Sequence, residues 1–235
     1  MKHYKNIVLH IPHASTAGLE SSGWPVCDAF RQKVFYWTDW YTEDMFDGDV
    51  LNGGLQKKIK KVVFPLSRFV VDAERLINDP LEQLGQGIIY RCFDGFQRNI
   101  DSTEKIRLMD LYLQHQNDLK NRLTPQSLLI DCHSFPSSLS EVDVCIGYNE
   151  DWSQPPQEVL DLVASTFRHA GYRVGVNTPY SNSISPLCDF TYHSLMIELN
   201  KRIYMDETTF QLKKESGLLH ALIVELYVQL LQKEE

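Results

Sequence analysis

Short apolar runs rich in β-branched residues alternate along this chain with segments of helical patterning. Several runs are continuously apolar, as expected for strands of a sheet whose two faces are both covered by helices. The pattern therefore predicts an α/β fold, a three-layer αβα sandwich with a mixed, mostly parallel central sheet. The predicted strands are Asn6–Ile11, Lys61–Phe64, Phe69–Asp72, Ser127–Asp131, Asp143–Gly147, Arg173–Val176 and Ser194–Leu199.

The predicted helices follow from start and stop signals. Asp101 and Glu104 have the spacing of a capping box, in which each residue bonds the backbone near the other. Pro155 and Pro156 mark the start of a second predicted helix, and Gly171 marks its end. The helices are predicted at about Val26–Phe46, Asp101–Leu123, Pro155–Gly171 and Ser216–Leu231.

Length and composition limit the classes of protein to consider. The chain has 235 residues, 43% of them hydrophobic, with no linker or repeat, so we predict a single domain over residues 1–235. A net charge of −8 and scattered basic residues argue against nucleic acid as a partner. No apolar stretch reaches the length that spans a membrane, and five widely spaced cysteines favour a reducing compartment. We expect a cytoplasmic protein.

Histidine and glutamate stand where three apolar runs stop. His13 lies in HIPHAS, His133 in LIDCHS and Glu198 in MIELN. In open α/β sheets ligands bind outside the carboxyl ends of the strands, so these three side chains are predicted to converge on one crevice. Side chains from separated segments that meet in one place are what a catalytic metal site requires.

The residue types suit zinc. Catalytic zinc is typically held by three His or carboxylate ligands, with a water molecule in the fourth position. His13 and His133 supply two nitrogens, and the third ligand is Asp39 or Glu43, which are four residues apart on one face of the predicted helix. Glu198 suits the carboxylate that moves the proton of the water.

Asp131 and several arginines surround these residues in the sequence. Asp131 precedes His133 and is expected to point to the opposite side, as a partner of the site that does not bind the ion. Arg68, Asp72 and Arg75 cluster in SRFVVDAER, and arginine binds a carboxylate with two parallel hydrogen bonds. The alternative is that these residues pair only with acidic neighbours on the surface. If the arginines face the crevice, the substrate is anionic.

Other enzyme classes lack their motifs in this sequence. There is no G-x-S-x-G elbow and no phosphate-binding P-loop, and Gly85-Gln86-Gly87 does not lie between a strand and a helix as a dinucleotide fingerprint would. Cys132 beside His133 does not make a thiol–imidazole pair, because adjacent residues of a strand point to opposite faces.

An ordered series of segments resembles the N-formylglutamate amidohydrolase family. The segments are HIPHAS, TDW, SRFVVDAER, GIIYR, IDCHSFP, VDVCIG, NTPYSNSISP and MIELNKRIYMD, which extend from residue 7 to about 206. The resemblance implies a phosphorylase/hydrolase-like fold, one Zn²⁺ ion, and hydrolysis of the amide of an N-formyl or N-acyl acidic amino acid such as N-formyl-L-glutamate. The implied partner is thus a small anionic amide.

The resemblance also implies roles for individual residues. The metal ligands are His13, Asp39 and His133, with Glu43 and His10 in reserve, and the catalytic residue is Glu198. The substrate-binding residues are Arg68, Asp72, Arg75, Asn177 and Tyr180, with Asp72 also orienting an arginine. Arg202 is predicted as a further substrate-binding residue from its position shortly after Glu198. His10 is interpreted as a supporting residue rather than a ligand.

Two departures from the family pattern concern the substrate. Asn182 and Ser183 stand where the family more often has glycine, and Lys201 replaces a frequent arginine. The sequence therefore leaves two alternatives open: a zinc peptidase or amidase acting on another acyl or peptidyl amide, and a non-catalytic anion-binding homologue.

Overall fold

A computed structural model describes residues 4–231 of the chain. These residues form two compact units. The first, here called the sheet unit, comprises described residues 4–11, 40–62 and 119–231; the second, the loop unit, comprises residues 12–39 and 63–118. The prediction of one domain over the whole chain stays a prediction.

The strands and helices have the following bounds. The strands are β1 (Asn6–Ile11), β2 (Ile59–Val63), β3 (Cys92–Phe93), β4 (Phe96–Gln97), β5 (Ser127–Phe135), β6 (Val144–Gly147), β7 (Val174–Val176), β8 (His193–Asn200), β9 (Met205–Asp206) and β10 (Gln211–Leu212). The helices are α1 (Asp28–Trp37), α2 (Thr42–Met45), α3 (Ser102–Arg122), α4 (Gln157–His169) and α5 (Ser216–Leu230).

The sheet unit is built on a six-stranded mixed sheet in the order β2-β1-β5-β8-β6-β7. β1 with β5, β5 with β8, and β6 with β7 pair in parallel, whereas β6 and β8 are antiparallel. The predicted α/β class with a mixed, mostly parallel sheet is therefore confirmed. Every residue of the central strand β5 is buried, as expected for a strand covered on both faces.

One face of the sheet carries the apolar core that leads to the strand ends. Val8 of β1 and Leu129 of β5 pack with Leu119 and Leu123 at the end of α3 and with Tyr192. Since side chains alternate along a strand, His10 and Asp131 continue the same face two residues further on. The polar residues at the strand ends are thus anchored by this core.

The loop unit contains α1, β3, β4 and most of α3, and its buried apolar side chains include two clusters. One cluster packs Phe64, Val70, Val71 and Ala73 against Leu108 of α3, and the other centres on Phe69 with Trp24 and Phe30. The predicted strand Phe69–Asp72 is wrong: the backbone forms a turn in which the N–H of Val70 donates to the carbonyl of Ser67 at 2.8 Å. An apolar run predicts burial, but it does not distinguish a strand from a buried turn.

Three of the four predicted helices are confirmed, as α3, α4 and α5. The start of α3 follows the capping signal, because the N–H of Glu104 donates to Oδ1 of Asp101 at 2.8 Å. Glu104 itself turns to Arg107, whose Nε donates to it at 2.7 Å, so only half of the predicted box forms. Among the helices of the described chain, we find none long and apolar enough to cross a bilayer.

Candidate active site

His133 and Glu198 lie side by side in the sheet unit. β5 and β8 are parallel and place the two residues in register. Both side chains are buried, with residue exposures of 3% and 8%. Residues in register on a parallel pair point to the same face of the sheet. The fold therefore places the imidazole expected to bind a metal beside the carboxylate expected to move a proton.

Asp131 connects this pair to β1. Its Oδ1 accepts a hydrogen bond from Nδ1 of His10 at 2.7 Å and lies 3.1 Å from Nε2 of His133, while Oδ2 accepts from the N–H of Ile184 at 3.1 Å. Burial alone would raise the pKa of Asp131, but the two imidazoles outweigh it and hold the pKa below the usual range of a carboxyl group. Asp131 is thus an ionised carboxylate shared by two histidines.

This geometry corrects one expectation about Asp131. Asp131 and His133 are two residues apart, so their side chains share one face of β5 rather than pointing to opposite sides. His10 is fully buried and its Nδ1 is engaged by Asp131. That contact is consistent with a supporting residue, although the role of His10 stays a prediction.

In the loop unit, His13 lies among three carboxylates. Its Nε2 is 2.8 Å from Oδ1 of Asp72, and its Nδ1 is 3.7 Å from Oδ2 of Asp39 and 3.9 Å from Oε2 of Glu74. His13, Asp39 and Asp72 are all buried. A buried imidazole with acidic groups at both nitrogens is the environment that metal-binding histidines have in proteins.

The segment that carries Asp39 is not the predicted helix. A helix over Val26–Phe46 is wrong, because α1 ends at Trp37 and α2 begins at Thr42. Thr38 ends the first helix by donating its hydroxyl to the carbonyl of Val34 at 2.7 Å. The next N–H, that of Asp39, donates to the carbonyl of His13 at 3.0 Å. The helix therefore ends at Trp37, and the backbone that follows is hydrogen-bonded to the segment after β1.

This break separates the two candidates for the third ligand. Asp39 and Glu43 do not share a helix face, since Asp39 precedes α2 and Glu43 lies within it. Asp39 is buried near Nδ1 of His13, whereas Glu43 is exposed. The geometry thus favours Asp39 over Glu43.

Arg68 and Arg75, the two arginines of SRFVVDAER, contact one carboxylate in the loop unit. Nη2 of Arg68 and Nε of Arg75 lie 3.1 and 3.4 Å from Oδ2 of Asp72, which also accepts from the hydroxyl of Tyr90 at 2.8 Å. Arg75 lies 3.7 Å from Asp79 as well. The two arginine side chains are only 16% and 22% exposed. They are largely enclosed cations with a small part of each side chain open to solvent.

The other predicted substrate residues lie in the sheet unit. Nη2 of Arg202 is 2.8 Å from Oδ1 of Asp143, and the same guanidinium bonds nearby backbone carbonyls, so its substrate role stays a prediction. The side chain of Asn177 accepts from the N–H of Tyr148 at 2.9 Å. Tyr180 packs edge-on against Phe135, with ring centroids 5.5 Å apart, at the end of the strand that carries His133.

Asn182 shows how the chain accommodates its departure from the family pattern. Its φ of +73° lies in the left-handed region, which glycine adopts freely and which asparagine tolerates better than most residues. The loop after NTPY can therefore keep a glycine-like backbone at this position without glycine.

Two residues near His13 and Asp72 were not predicted. Glu74 follows Asp72 by two residues, and this spacing of carboxylates after an apolar run is a signal that could have identified it. Tyr90 lies 18 positions after Asp72 in the sequence, and its hydroxyl donates to the Asp72 carboxylate. A backbone hydrogen bond from the N–H of Asp72 to the carbonyl of Ile88, at 2.8 Å, brings the two segments together. Nothing in the local sequence predicts that contact.

The donor groups around His13 fit a divalent cation. His13, Asp72 and Glu74 each offer one ligand atom, and these atoms lie within 4.8 Å of one another. Imidazole nitrogen and carboxylate oxygen are typical zinc ligands at about 2.0–2.2 Å from the ion. The carboxylates would also offset the charge of the cation in a buried place.

Comparison with known proteins confirms the resemblance. The sequence profile of N-formylglutamate amidohydrolase matches residues 5–205. The crystal structure of N-formylglutamate amidohydrolase from Ralstonia eutropha superposes with a TM-score of 0.78 and 18% identity, covering 97% of this chain and 93% of that chain. A gene product of Agrobacterium tumefaciens gives a TM-score of 0.63 with 15% identity, over 96% of this chain and 91% of that chain. No curated protein matches the sequence.

At these identities the two structures establish the fold, and the profile establishes the family. The matched range contains His13, Asp39, His133 and Glu198. From the profile match over most of its length, we conclude that the chain belongs to the N-formylglutamate amidohydrolase family.

Proposed function

We propose that this protein hydrolyses the amide of an N-formyl or N-acyl acidic amino acid, such as N-formyl-L-glutamate, with the help of one divalent metal ion. The observation that carries the proposal is the side-by-side placement of His133 and Glu198 on β5 and β8. A water molecule adds to the formyl carbonyl, the C–N bond breaks, and the products are formate and the free amino acid.

The ligands in this proposal are His13, Asp39 and His133. Zinc bound by them would polarise the formyl carbonyl and lower the pKa of a water molecule toward about 7. Within the loop unit, Nδ1 of His13 and Oδ2 of Asp39 are 3.7 Å apart, close to the spacing of two ligands of one ion. Glu43 and His10 are the reserve ligands, and both have less support: Glu43 is exposed and Nδ1 of His10 is bonded to Asp131.

Glu198 carries the proton in this proposal. Its carboxylate accepts a proton from the attacking water and donates it to the leaving nitrogen, so the amino acid departs as an amine rather than as an amide anion. The low exposure of Glu198 keeps bulk water from competing for that proton.

Arg68 and Arg75 are proposed to hold the carboxylates of the substrate. A carboxylate is acceptor-only, and a guanidinium offers several donors, so a group that already pairs with Asp72 still has donors to offer. Asn177 and Tyr180 are proposed to line the pocket, and the role of Arg202 is less supported because Asp143 engages its guanidinium.

The decisive experiment combines metal analysis with product analysis. Protein purified without chelator or metal-affinity tag is analysed for metals and then assayed for formate release from N-formyl-L-glutamate. Acetyl, succinyl and peptidyl amides serve as comparison substrates. We expect bound zinc and fastest turnover of the formyl compound.

Two other results would overturn the proposal in distinguishable ways. Cleavage of a peptidyl amide without formate release would indicate a zinc peptidase or amidase. Saturable heat on titration with N-formyl-L-glutamate, without product, would indicate a non-catalytic anion-binding protein.

The third ligand can be tested by a matched pair of variants. Asp39→Asn is expected to lower zinc affinity at least about tenfold, since it removes a charged ligand, whereas Glu43→Gln is expected to leave it unchanged. The measurement is competition with a chromophoric chelator. A loss in Glu43→Gln with none in Asp39→Asn would reverse the assignment.

The arginines predict a preference between two nearly isosteric substrates. N-formyl-L-glutamine lacks the side-chain carboxylate of N-formyl-L-glutamate, and a hydrogen bond to a charged group contributes about 1.5–3 kcal/mol. We expect kcat/KM to favour the glutamate compound by roughly 10- to 150-fold, with most of this preference lost in Arg68→Ala or in Arg75→Ala. Arg107→Ala, which removes an exposed guanidinium, is the control. An unchanged preference in both test variants would contradict the assignment.

A further inference from the structure

Asp72 contacts His13 and both arginines of SRFVVDAER. It is fully buried, and its two oxygens divide the contacts between them. Oδ1 faces Nε2 of His13 at 2.8 Å, while Oδ2 takes the hydroxyl of Tyr90 and the cations of Arg68 and Arg75. One carboxylate thus joins the candidate metal-binding histidine to the candidate substrate-binding arginines.

The charge state of Asp72 follows from these contacts. Its Oδ2 lies 3.1 Å from Nη2 of Arg68 and 3.4 Å from Nε of Arg75, and accepts from the hydroxyl of Tyr90. Two guanidinium cations beside one buried carboxyl group favour its ionised form. An ionised carboxylate has no proton to donate and only accepts hydrogen bonds. The proton in the 2.8 Å contact therefore belongs to Nε2 of His13.

This proton determines which nitrogen of His13 can bind a cation. In a neutral imidazole one nitrogen carries the proton and the other carries a lone pair. With Nε2 protonated, the lone pair is on Nδ1, which faces Asp39 at 3.7 Å and Glu74 at 3.9 Å. Two ligand atoms about 2.0–2.2 Å from a tetrahedral zinc ion lie about 3.3–3.6 Å from each other. The distances from Nδ1 to Asp39 and Glu74 are slightly longer than this ligand–ligand spacing.

We propose that Asp72 is a positioning residue that fixes the tautomer of His13, so that Nδ1 is the atom His13 presents to the metal on the side of Asp39 and Glu74. The inference rests on the proposed function, because it concerns the same metal. It changes the role of Asp72, which the family resemblance implied only for substrate binding and for orienting an arginine. The backbone helps to hold Asp72 in place, since the N–H of Glu74 donates to its Oδ1 at 3.3 Å.

The wild-type protein provides the first test. Protein with ¹⁵N-labelled histidine is studied by NMR, metal-free and after loading with ¹¹³Cd²⁺, with His13→Gln used to assign the signals. We expect the metal-free protein to give the shifts of an Nε2-protonated His13, and the loaded protein to show ¹¹³Cd–¹⁵N coupling at Nδ1. Coupling at Nε2 of His13 would overturn the inference while leaving the proposed metal dependence standing.

Failure of the proposed function would look different. If no cadmium or zinc binds, the metal dependence and the inference both fall, whatever the tautomer. If cadmium binds without coupling to either nitrogen of His13, the inference and the ligand role of His13 fall, and the other ligands remain to account for the ion.

A variant tests whether Asp72 is the cause of the tautomer. Asp72→Asn keeps the shape of the side chain, but its amide can turn either an acceptor or a donor to Nε2. We expect a mixed tautomer signal and a metal affinity lower by about 10- to 100-fold. Asp79→Asn is the matched control, because it makes the same change at another carboxylate that contacts Arg75. A pure Nε2–H signal with wild-type affinity in Asp72→Asn would overturn the inference, and if this variant does not fold, the wild-type measurement decides.

Discussion

Glutamine in place of Glu198 is expected to lower kcat by roughly 10²- to 10⁴-fold, because a positioned proton-transfer group contributes that much to a rate. The substitution preserves the size of the side chain and its ability to accept a hydrogen bond, but an amide cannot take up the proton of water. Since Glu198 is proposed as the proton carrier rather than as a ligand, the zinc content should stay at the wild-type level. Formate release and elemental analysis of the same preparation measure both quantities.

Controls for this prediction separate chemistry from folding. Glu225→Gln makes the same change on the exposed part of α5 and should keep full activity. His133→Ala, which removes the neighbour of Glu198 on β5, should lose zinc and turnover together. Wild-type turnover in Glu198→Gln would refute the role of Glu198, and loss of zinc in that variant would indicate a ligand instead.

The sequence predicts the structure best where an apolar run by itself determines a buried strand. β1 has the predicted bounds, and β5 and β8 contain the predicted runs, because buried strands must be apolar and their ends become polar where the core stops. His133 and Glu198 lie within β5 and β8, each two residues before the strand's last residue, and the apolar runs before them predicted these strands. Their exact register, which places them side by side, depends on the pairing of segments far apart in the chain.

The two wrong secondary-structure predictions concern segments whose structure depends on contacts with distant parts of the chain. The helical pattern of Val26–Phe46 is real, but the N–H of Asp39 bonds the carbonyl of His13, a partner that no local pattern reveals. The turn at Ser67–Val70 is likewise apolar enough to resemble a strand, because it is buried in the core of the loop unit. Glu74 was overlooked although its spacing from Asp72 is a sequence signal, and the folded chain brings its Oε2 within 3.9 Å of Nδ1 of His13.

The largest expected effect on stability is that of Asp131→Ala. Asp131 is fully buried and accepts hydrogen bonds from His10 and from the N–H of Ile184, besides its contact with His133. Alanine would leave these donors buried without an acceptor, and each such loss costs about 1–3 kcal/mol. Because two such hydrogen bonds are lost, we expect the free energy of unfolding to fall by about 2–6 kcal/mol.

Urea denaturation of chelator-treated protein measures this loss without a contribution from metal binding to the folded state. Asp161→Ala, the same substitution on the exposed face of α4, should change the free energy of unfolding by less than about 0.5 kcal/mol. Asp131→Asn should give an intermediate loss, because its amide oxygen can still accept one of the hydrogen bonds. If Asp131→Ala matched Asp161→Ala, then β1, β5 and the segment at Ile184 would be held by apolar packing alone, and the histidines would not depend on Asp131 for their placement.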